Sequence, residues 1–140
     1  MPSLEIIRAV DELLDRNDRL PPAVSLPSDV AIRHAESISG FTIGDDYSYF
    51  VQRAGNTISL GRVLVDLAHE RVGRRGSFVK VLQEARQAGV PEDWMPICSD
   101  NADYYCLLPD GTVELWSHDA MFEGKWASLA EWIMQDWIEN

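Results

Sequence analysis

The stretch DNADYYCLLPDGTVELWSHD, Asp100 to Asp119, decides the fold because two strand-like runs flank a turn within it. The runs cover residues 103–108 and 112–118. Between them, Pro109-Asp110-Gly111 fits a type I turn followed by a glycine in the left-handed region. A two-residue Asp-Gly turn would need a hydrogen bond from Pro109, which has no amide hydrogen to donate. The sequence therefore predicts an antiparallel hairpin with a three-residue loop.

A loop of this length also fixes which residues of the hairpin lie opposite each other. The predicted pairs are Leu108 with Thr112, Leu107 with Val113, Cys106 with Glu114, Tyr105 with Leu115 and Tyr104 with Trp116. Because side chains alternate between the faces of a strand, one face is predicted to cover the core, with Tyr105, Leu107, Val113 and Leu115. The other face is predicted to be a mixed aromatic and acidic surface, either exposed or covered by a loop, with Tyr104, Cys106, Glu114 and Trp116.

Start and stop signals predict five helices around this hairpin. They run from the N-cap Ser3 to about Asn17, from Ser28 to Gly40, from Asp45 to Ala54, from Ser77 to Gly89, and from the capping box Ser128–Glu131 onward. The second helix is expected to bury Val30, Ala31, Ala35 and Ile38, and the last one Leu129, Trp132, Ile133 and Trp137. Segments 57–60, 62–67 and 94–98 favour strands or extended chain.

Helices come first, a run of strands follows and a helix closes the chain. This order predicts an α+β fold with a mainly antiparallel sheet. The length of 140 residues predicts a single domain over residues 1–140. No apolar run approaches the roughly 18 residues of a membrane span, and the N-terminus does not resemble a secretory signal. Two cysteines, Cys98 and Cys106, cannot form a disulfide framework, so we expect a cytoplasmic protein with no membrane partner.

The charge of the chain is concentrated in its last third. Residues 1–91 carry 12 acidic and 11 basic residues, whereas residues 92–140 carry 11 acidic residues and one basic residue, Lys125. A nucleic-acid partner is disfavoured because such a protein needs a basic surface. A basic protein partner is favoured because an acidic surface accelerates its approach, although the same charge also serves solubility.

Residue types that carry chemistry are present without the patterns that chemistry requires. Cys98 and Cys106 are not a CxxC pair, no HxxxH occurs, and residues 100–103 lack the spacing of a calcium loop. We therefore expect no metal and no cofactor. His118 lies next to Ser117 and near Cys106 in the sequence, but no GxSxG surrounds a nucleophile, so we expect no enzyme.

Two blocks of the sequence resemble the SUKH superfamily, bacterial immunity proteins related to a fungal cell-wall regulator. In residues 31–56 the matches are Gly40-Phe41, Asp46-Tyr47 and Phe50-Val51; Ile43-Gly44 stands where the family has Leu-Pro, and Gly55-Asn56 where it has Asn-Gly. The second block, WMPICSDNADYYCLLPDGTVELWSHD, is similar to the strands of the family's later half, and WASLAEWI to its terminal helix. The resemblance covers residues 24–138.

The resemblance implies an α+β fold, no catalytic residues, no cofactor, and a role in neutralising toxins or in binding other proteins. Its matching positions would be structural: Gly40, Phe41, Asp46, Tyr47 and Phe50, together with Trp116. The family's partner-facing residues vary, so the resemblance does not identify them.

The leading hypothesis is a cytoplasmic immunity protein, monomeric or weakly dimeric, that occludes a cognate basic toxin such as a nuclease. Acidic residues would steer the toxin and aromatic residues would anchor it: Asp100, Asp103, Glu114, Asp119 and Glu123, with Tyr104, Trp116 and Trp126. The second hypothesis is a scaffold or regulatory interaction module. The third is a small hydrolase that uses His118 with Ser117 or Cys106.

Overall fold

The hairpin forms the centre of a five-stranded sheet in the computed structural model, which describes residues 1–18, 26–59, 61–68, 77–120 and 123–139. The strands, in chain order and in spatial order, are β1 (Val63–Leu64), β2 (Met95–Asp100), β3 (Asp103–Leu107), β4 (Val113–Trp116) and β5 (Lys125–Trp126). Each strand pairs antiparallel with the next. The helices are α1 (Leu4–Arg16), α2 (Asp29–Ser39), α3 (Asp45–Ala54), α4 (Phe78–Ala88) and α5 (Leu129–Trp132), which continues as a π-helical segment (Ile133–Ile138). The α+β prediction is confirmed.

The β3–β4 hairpin has the predicted register and loop. Tyr104 lies opposite Trp116 and Leu107 opposite Val113. The Leu108 amide donates to the Thr112 carbonyl at 2.9 Å. Gly111 has φ +90°, a backbone conformation that is strained for residues with a side chain. Its amide donates to the Leu108 carbonyl. The loop chemistry therefore sets the pairing of the two central strands.

A second tight hairpin joins β2 to β3, and the sequence did not predict it. Asp100 lies opposite Asp103, so only Asn101 and Ala102 form the turn. Both have positive φ, 49° and 71°, which is the geometry of a type I′ turn. Asparagine tolerates this region, but alanine has no side-chain hydrogen bond to offset the strain. For this reason Ala102 gives no turn signal in the sequence.

Most helix boundaries agree with the capping predictions. The hydroxyls of Ser3, Ser28 and Ser128 accept from the amides of Ile6, Ala31 and Glu131, at 3.1 to 3.2 Å. Gly40 and Gly89 end α2 and α4 with positive φ. Ser77 precedes α4 as predicted but makes no capping hydrogen bond; instead the Phe78 amide donates to the Asp66 carbonyl at 2.8 Å.

Two predictions about the elements are wrong. The first is that α2 buries Val30 and Ile38; these side chains are 58% and 47% exposed, and the core stripe holds Ala31, Ile32 and Ala35. The helix has two apolar stripes, and its packing selects the one that starts a residue later. The second is the strand alternative for residues 57–60, which were predicted as strand or extended chain: residues 57–59 form no strand and have only bridges, at Thr57 and Ser59.

Both faces of the sheet are covered. On the Tyr105 face the Trp132 ring of α5 lies 5.4 Å from the Tyr105 ring, and α1 packs against α3, α5 and the π-helical segment. Tyr104 and Cys106 point to the opposite face, yet both are buried. Helix α4 covers that face: a Cβ added at Gly89 would be 3.8 Å from the Trp116 ring. The prediction of a mixed surface there is wrong for Tyr104 and Cys106, because a helix covers them.

The two cysteines are buried in different layers. Cys98 lies opposite Tyr105, and directly opposite residues share a face, whereas Cys106 follows Tyr105 and therefore points to the α4 side. Burial is the main factor that raises the pKa of both thiols, that of Cys106 to about 12. The sheet therefore separates two protonated thiols.

The C-terminal helix buries the predicted residues Leu129, Trp132, Ile133 and Trp137. Its π-helical segment brings residues five apart close together. The rings of Trp132 and Trp137 make an edge contact with centroids 6.0 Å apart. Within the described residues, no helix is long and apolar enough to cross a membrane.

We expect Gly111→Ala and Ala102→Gly to change stability in opposite directions, because both positions have left-handed backbone. The first change should lower the free energy of unfolding by about 1 kcal/mol or more, and the second should raise it by up to about 1 kcal/mol. Urea unfolding measures both. Equal effects of the same sign would contradict the backbone assignment of the two turns.

Candidate functional site at the acidic end of the sheet

Three of the predicted acidic residues come together at one end of the sheet, where β2 ends, β3 begins and β4 has just ended. Asp100 and Asp103 face each other across the tight turn, and Asp119 follows β4. We name Asp100, Asp103, His118 and Asp119 the acidic end. Glu123 is exposed, and the next residue, Gly124, accepts a hydrogen bond from the Leu115 amide at 2.8 Å. Glu123 therefore lies beside the same end of β4.

His118 links two of these carboxylates. Its Nδ1 is 2.7 Å from Asp103 Oδ1, and its backbone amide donates to the same oxygen at 3.0 Å. Its Nε2 is 3.8 Å from Asp119 Oδ2, while Ser117 Oγ donates to Asp119 Oδ1 at 2.9 Å. The hydrogen bond to Asp103 is the main factor that raises the pKa of the His118 imidazole above its usual value. His118 therefore lies between the carboxylates of Asp103 and Asp119 and is hydrogen-bonded to the first of them.

A largely buried arginine, which was not predicted from the sequence, lies next to the acidic end. Arg62 Nη1 forms an ion pair with the Asp136 carboxylate and also donates to the backbone carbonyl of Asp136 at 3.0 Å. Arg62 Nε is 3.8 Å from Asp100 Oδ2. Its guanidinium lies over the rings of Tyr105 and Trp137, 5.3 Å and 5.8 Å from the centroids. Burial is the largest influence on the pKa of Asp136 and raises it, against the lowering effect of Arg62. Asp100 is therefore held by a cation at its base.

The predicted aromatic anchors do not form one surface. Trp116 lies opposite Tyr104 on the α4 face, whereas Trp126 lies opposite Val113 on the other face, with its ring 5.7 Å from that of Tyr105. Tyr104 is only 6% exposed and contacts Trp116, with ring centroids 6.1 Å apart. A buried ring cannot touch a partner, so Tyr104 supports Trp116 instead.

Glu114 lies away from the acidic end, in the middle of β4. It is half-buried and lies opposite Cys106 on one side and opposite Lys125 on the other. Glu114 and Lys125 thus place opposite charges at directly paired positions of neighbouring strands. The predicted acidic set thus divides into a cluster at the acidic end and one residue in the sheet.

The family-matching residues have structural contacts. Gly40 ends α2 with φ +79°. The Arg86 guanidinium lies over the Phe41 ring, 5.4 Å from the ring centroid. The Asp46 carboxylate accepts from the Ser3 amide and hydroxyl at 2.7 and 2.8 Å, which ties α3 to the start of α1. Tyr47 and Phe50 are buried in the core.

Neither nucleophile of the hydrolase hypothesis is hydrogen-bonded to His118. Ser117 donates to Asp119, and the buried Cys106 thiol lies on the α4 face, 3.9 Å from the Tyr104 carbonyl. In the part of the chain that the structure describes, no three His, Cys, Asp or Glu side chains converge as metal ligands. His69 and the basic run Arg71–Arg75 lie outside the described residues.

Comparisons with known proteins agree with the fold. The SUKH_5 family model, described as SMI1-KNR4 cell-wall, matches residues 6–138. The chain is also similar to a crystal structure of a protein from Pseudomonas syringae pv. tomato, with 26% identity, a TM-score of 0.82, and coverage of 96% of this chain and 99% of that one. No curated protein matches it. The family match begins earlier than the resemblance over residues 24–138 and includes most of α1.

We expect the imidazole of His118 to titrate above the ordinary value of about 6.5, because Asp103 stabilises its protonated form. The pKa of His118 is higher in the folded protein than in the unfolded chain. Its contribution to the free energy of unfolding is therefore complete at pH values below the unfolded-state pKa and is lost as the pH rises through the folded-state pKa. Proton NMR of the ring measures the midpoint. Asp103→Asn should lower it more than Asp119→Asn, whose carboxylate is farther away; no effect of Asp103→Asn would contradict the bridge.

Arg62→Met is expected to lower the free energy of unfolding by about 3 kcal/mol, because it leaves Asp136 buried without its cation. The loss should shrink at low pH, where Asp136 becomes protonated. Urea unfolding at two pH values measures this. The double change Arg62→Met with Asp136→Leu should cost less than Arg62→Met alone. The control is Arg53→Met, which removes an exposed cation lying over Tyr49 and should cost under about 1 kcal/mol.

Proposed function

We propose, from the premise that the chain belongs to the SUKH family, that it is an immunity protein that neutralises a cognate basic bacterial toxin. The family match carries this proposal. The net charge supports it, because residues 92–140 hold 11 acidic residues against one basic residue. A nuclease toxin would fit such an inhibitor, since a nuclease must carry positive charge to hold phosphates.

The acidic end is the surface that we assign to the toxin. Asp100, Asp103 and Asp119 lie within one cluster, and Glu123 adds charge beside it. Like charges on one surface produce a field that raises the rate of encounter with an oppositely charged partner. Trp116, half-buried and supported by Tyr104, is the aromatic anchor on the α4 side, and Trp126 is the one on the other side.

The mechanism is occlusion of the toxin, and the contacts that the acidic residues already make within the protein favour it. Asp103 accepts hydrogen bonds from His118, and Arg62 lies 3.8 Å from Asp100, so both carboxylates have partners within the protein before the toxin arrives. A preformed surface loses less side-chain entropy on binding than a mobile one. The inhibitor would cover the basic substrate channel of the toxin without any chemistry of its own. We propose accordingly that the protein is no enzyme, needs no cofactor, binds no nucleic acid and acts in the cytoplasm as a monomer or weak homodimer.

The experiment that tests the proposal begins with capture of partners by the tagged full chain from the native cell lysate at low and high salt. Mass spectrometry identifies the captured proteins, and each is then expressed with and without this chain. A basic protein that stops growth alone, and no longer does so when this chain is present, supports the proposal. A partner that is bound but not toxic would instead support a scaffold or regulatory module.

With the toxin in hand, we expect Asp100→Asn, Asp103→Asn and Asp119→Asn together to reduce the association rate on the order of tenfold at low salt. The rates of variant and parent should converge at high ionic strength, where exposed charges are screened. Stopped-flow mixing measures both. The control changes the same number of charges on the exposed side of α1, with Glu5→Gln, Asp11→Asn and Asp15→Asn. Equal effects of the two sets would remove the acidic end from the proposal.

A further inference from the structure

A groove lies at the end of the sheet opposite to the acidic end. It has a volume of about 710 Å³, within the range of about 300–1,000 Å³ that is typical of ligand pockets. Four separate parts of the chain form its walls: residues 39–47 between α2 and α3, residues 92–95 before β2, residues 107–111 of the β3–β4 loop, and residues 128–129 at the start of α5. None of these segments contributes to the acidic end.

The floor of the groove is apolar. Met95 lies opposite Leu107 in the β2–β3 pairing, and both line the groove. Tyr47, Met95 and Leu129 are buried members of the core, so the floor continues into the interior of the protein. The half-buried side chains of Leu107, Leu108 and Phe41 remain partly open to solvent. This surface would gain free energy by covering its apolar area.

Three glycines line the groove, with open space around each of them. A Cβ added at Gly40, Gly44 or Gly111 would have no other heavy atom within 4 Å. Gly40 and Gly111 have positive φ, whereas Gly44 has φ −75° and ψ 173°, a conformation that any residue adopts. A side chain can therefore be added at Gly44 without backbone strain, directly at the groove.

The rim of the groove is acidic. Glu92 and Asp93 line it, are exposed, and form no ion pair with any residue that the structure describes. Asp46 also lines it, and its carboxylate is held by Ser3. The guanidinium of Arg86 also lies at this rim, over the Phe41 ring. It donates to the backbone carbonyls of Pro91 and Glu92 and pairs with neither rim carboxylate. Two unpaired carboxylates are thus available at the edge of an apolar floor.

We infer that this groove binds an extended peptide segment of a partner protein, which inserts one bulky apolar side chain and places a lysine or arginine on the rim. An apolar pocket takes the anchor of a protein interface, and unpaired carboxylates select a cation beside it. Here the charged groups lie at the edge, within reach of residues that flank an anchor.

This site is separate from the one assigned to the toxin. Asp103 and Leu107 occupy opposite ends of β3, and four residues of strand span about 14 Å. The inference therefore goes beyond the immunity function and does not depend on it. Variants at one end of the sheet leave the other end unchanged, so each proposal can fail alone.

The test is an NMR titration of the isotope-labelled full chain with two synthetic peptides, acetyl-Lys-Leu-Trp-Lys-amide and acetyl-Glu-Leu-Trp-Glu-amide. We expect the basic peptide to give saturable shifts at the amides of Thr42, Leu108 and Gly111, with at least tenfold higher affinity than the acidic peptide. Shifts that do not saturate at millimolar peptide, or equal affinity for the two peptides, would overturn the inference.

Four variants locate the binding. Gly44→Leu should weaken the basic peptide at least tenfold by filling the groove, whereas Gly44→Ser, which adds a small capping residue to α3, should not. Glu92→Lys with Asp93→Lys should also weaken it tenfold. The matched control, Asp11→Lys with Asp15→Lys, makes the same change of charge on α1 and should have less than a threefold effect.

Two further results would overturn the inference. If the shifts at the groove amides appear without peptide as the protein is concentrated, the occupant is a second copy of this chain. If the peptide affinity is lost in the Asp100→Asn, Asp103→Asn, Asp119→Asn variant but kept in Gly44→Leu, the peptide binds at the acidic end. If the Asp100→Asn, Asp103→Asn, Asp119→Asn variant keeps its affinity for the basic peptide, the result supports two independent sites, whatever the outcome with the toxin.

Discussion

The packing of the Trp132 ring joins the sheet to the helices, and the other parts of the fold depend on it. The ring is fully buried, and its centroid lies 5.4 Å from that of Tyr105, 6.4 Å from that of Phe50 and 6.0 Å from that of Trp137. One side chain thus contacts β3, α3 and the π-helical segment. A buried aromatic ring of this kind contributes on the order of 3–5 kcal/mol, a large fraction of the stability of a small domain.

Around that centre, the sheet has two ends of different character. At the acidic end the carboxylates have partners within the protein: His118 lies 2.7 Å from Asp103, and Arg62 lies 3.8 Å from Asp100. At the groove the carboxylates are unpaired and surround an apolar floor. The first surface suits long-range attraction of a large basic partner, and the second suits close contact with a short segment. The length of the strands in the same antiparallel sheet separates the two proposed sites.

What the sequence could predict was set by local chemistry, and what it could not was set by contacts distant in the chain. Pro109 and Gly111 determine the β3–β4 register within a few residues, and Ser3 or Ser28 determine where a helix begins. The exposed stripe of α2 at Val30 and Ile38 could not be distinguished, because the choice depends on packing partners elsewhere. Arg62 was missed because it pairs with Asp136, 74 residues away. The coverage of Tyr104 and Cys106 likewise depends on α4.

Because the sheet separates the two thiols, their reactivity can distinguish which layer of the protein detaches from the sheet. Cys98 is buried on the Tyr105 face of the sheet and Cys106 on the face that α4 covers, so we expect the two thiols to become accessible when different layers move. Each cysteine is therefore an internal probe of one layer, and a thiol reagent consumes them at the rates at which those layers detach. Because the sheet lies between the two sulfurs, a disulfide between Cys98 and Cys106 would require the sheet to open first.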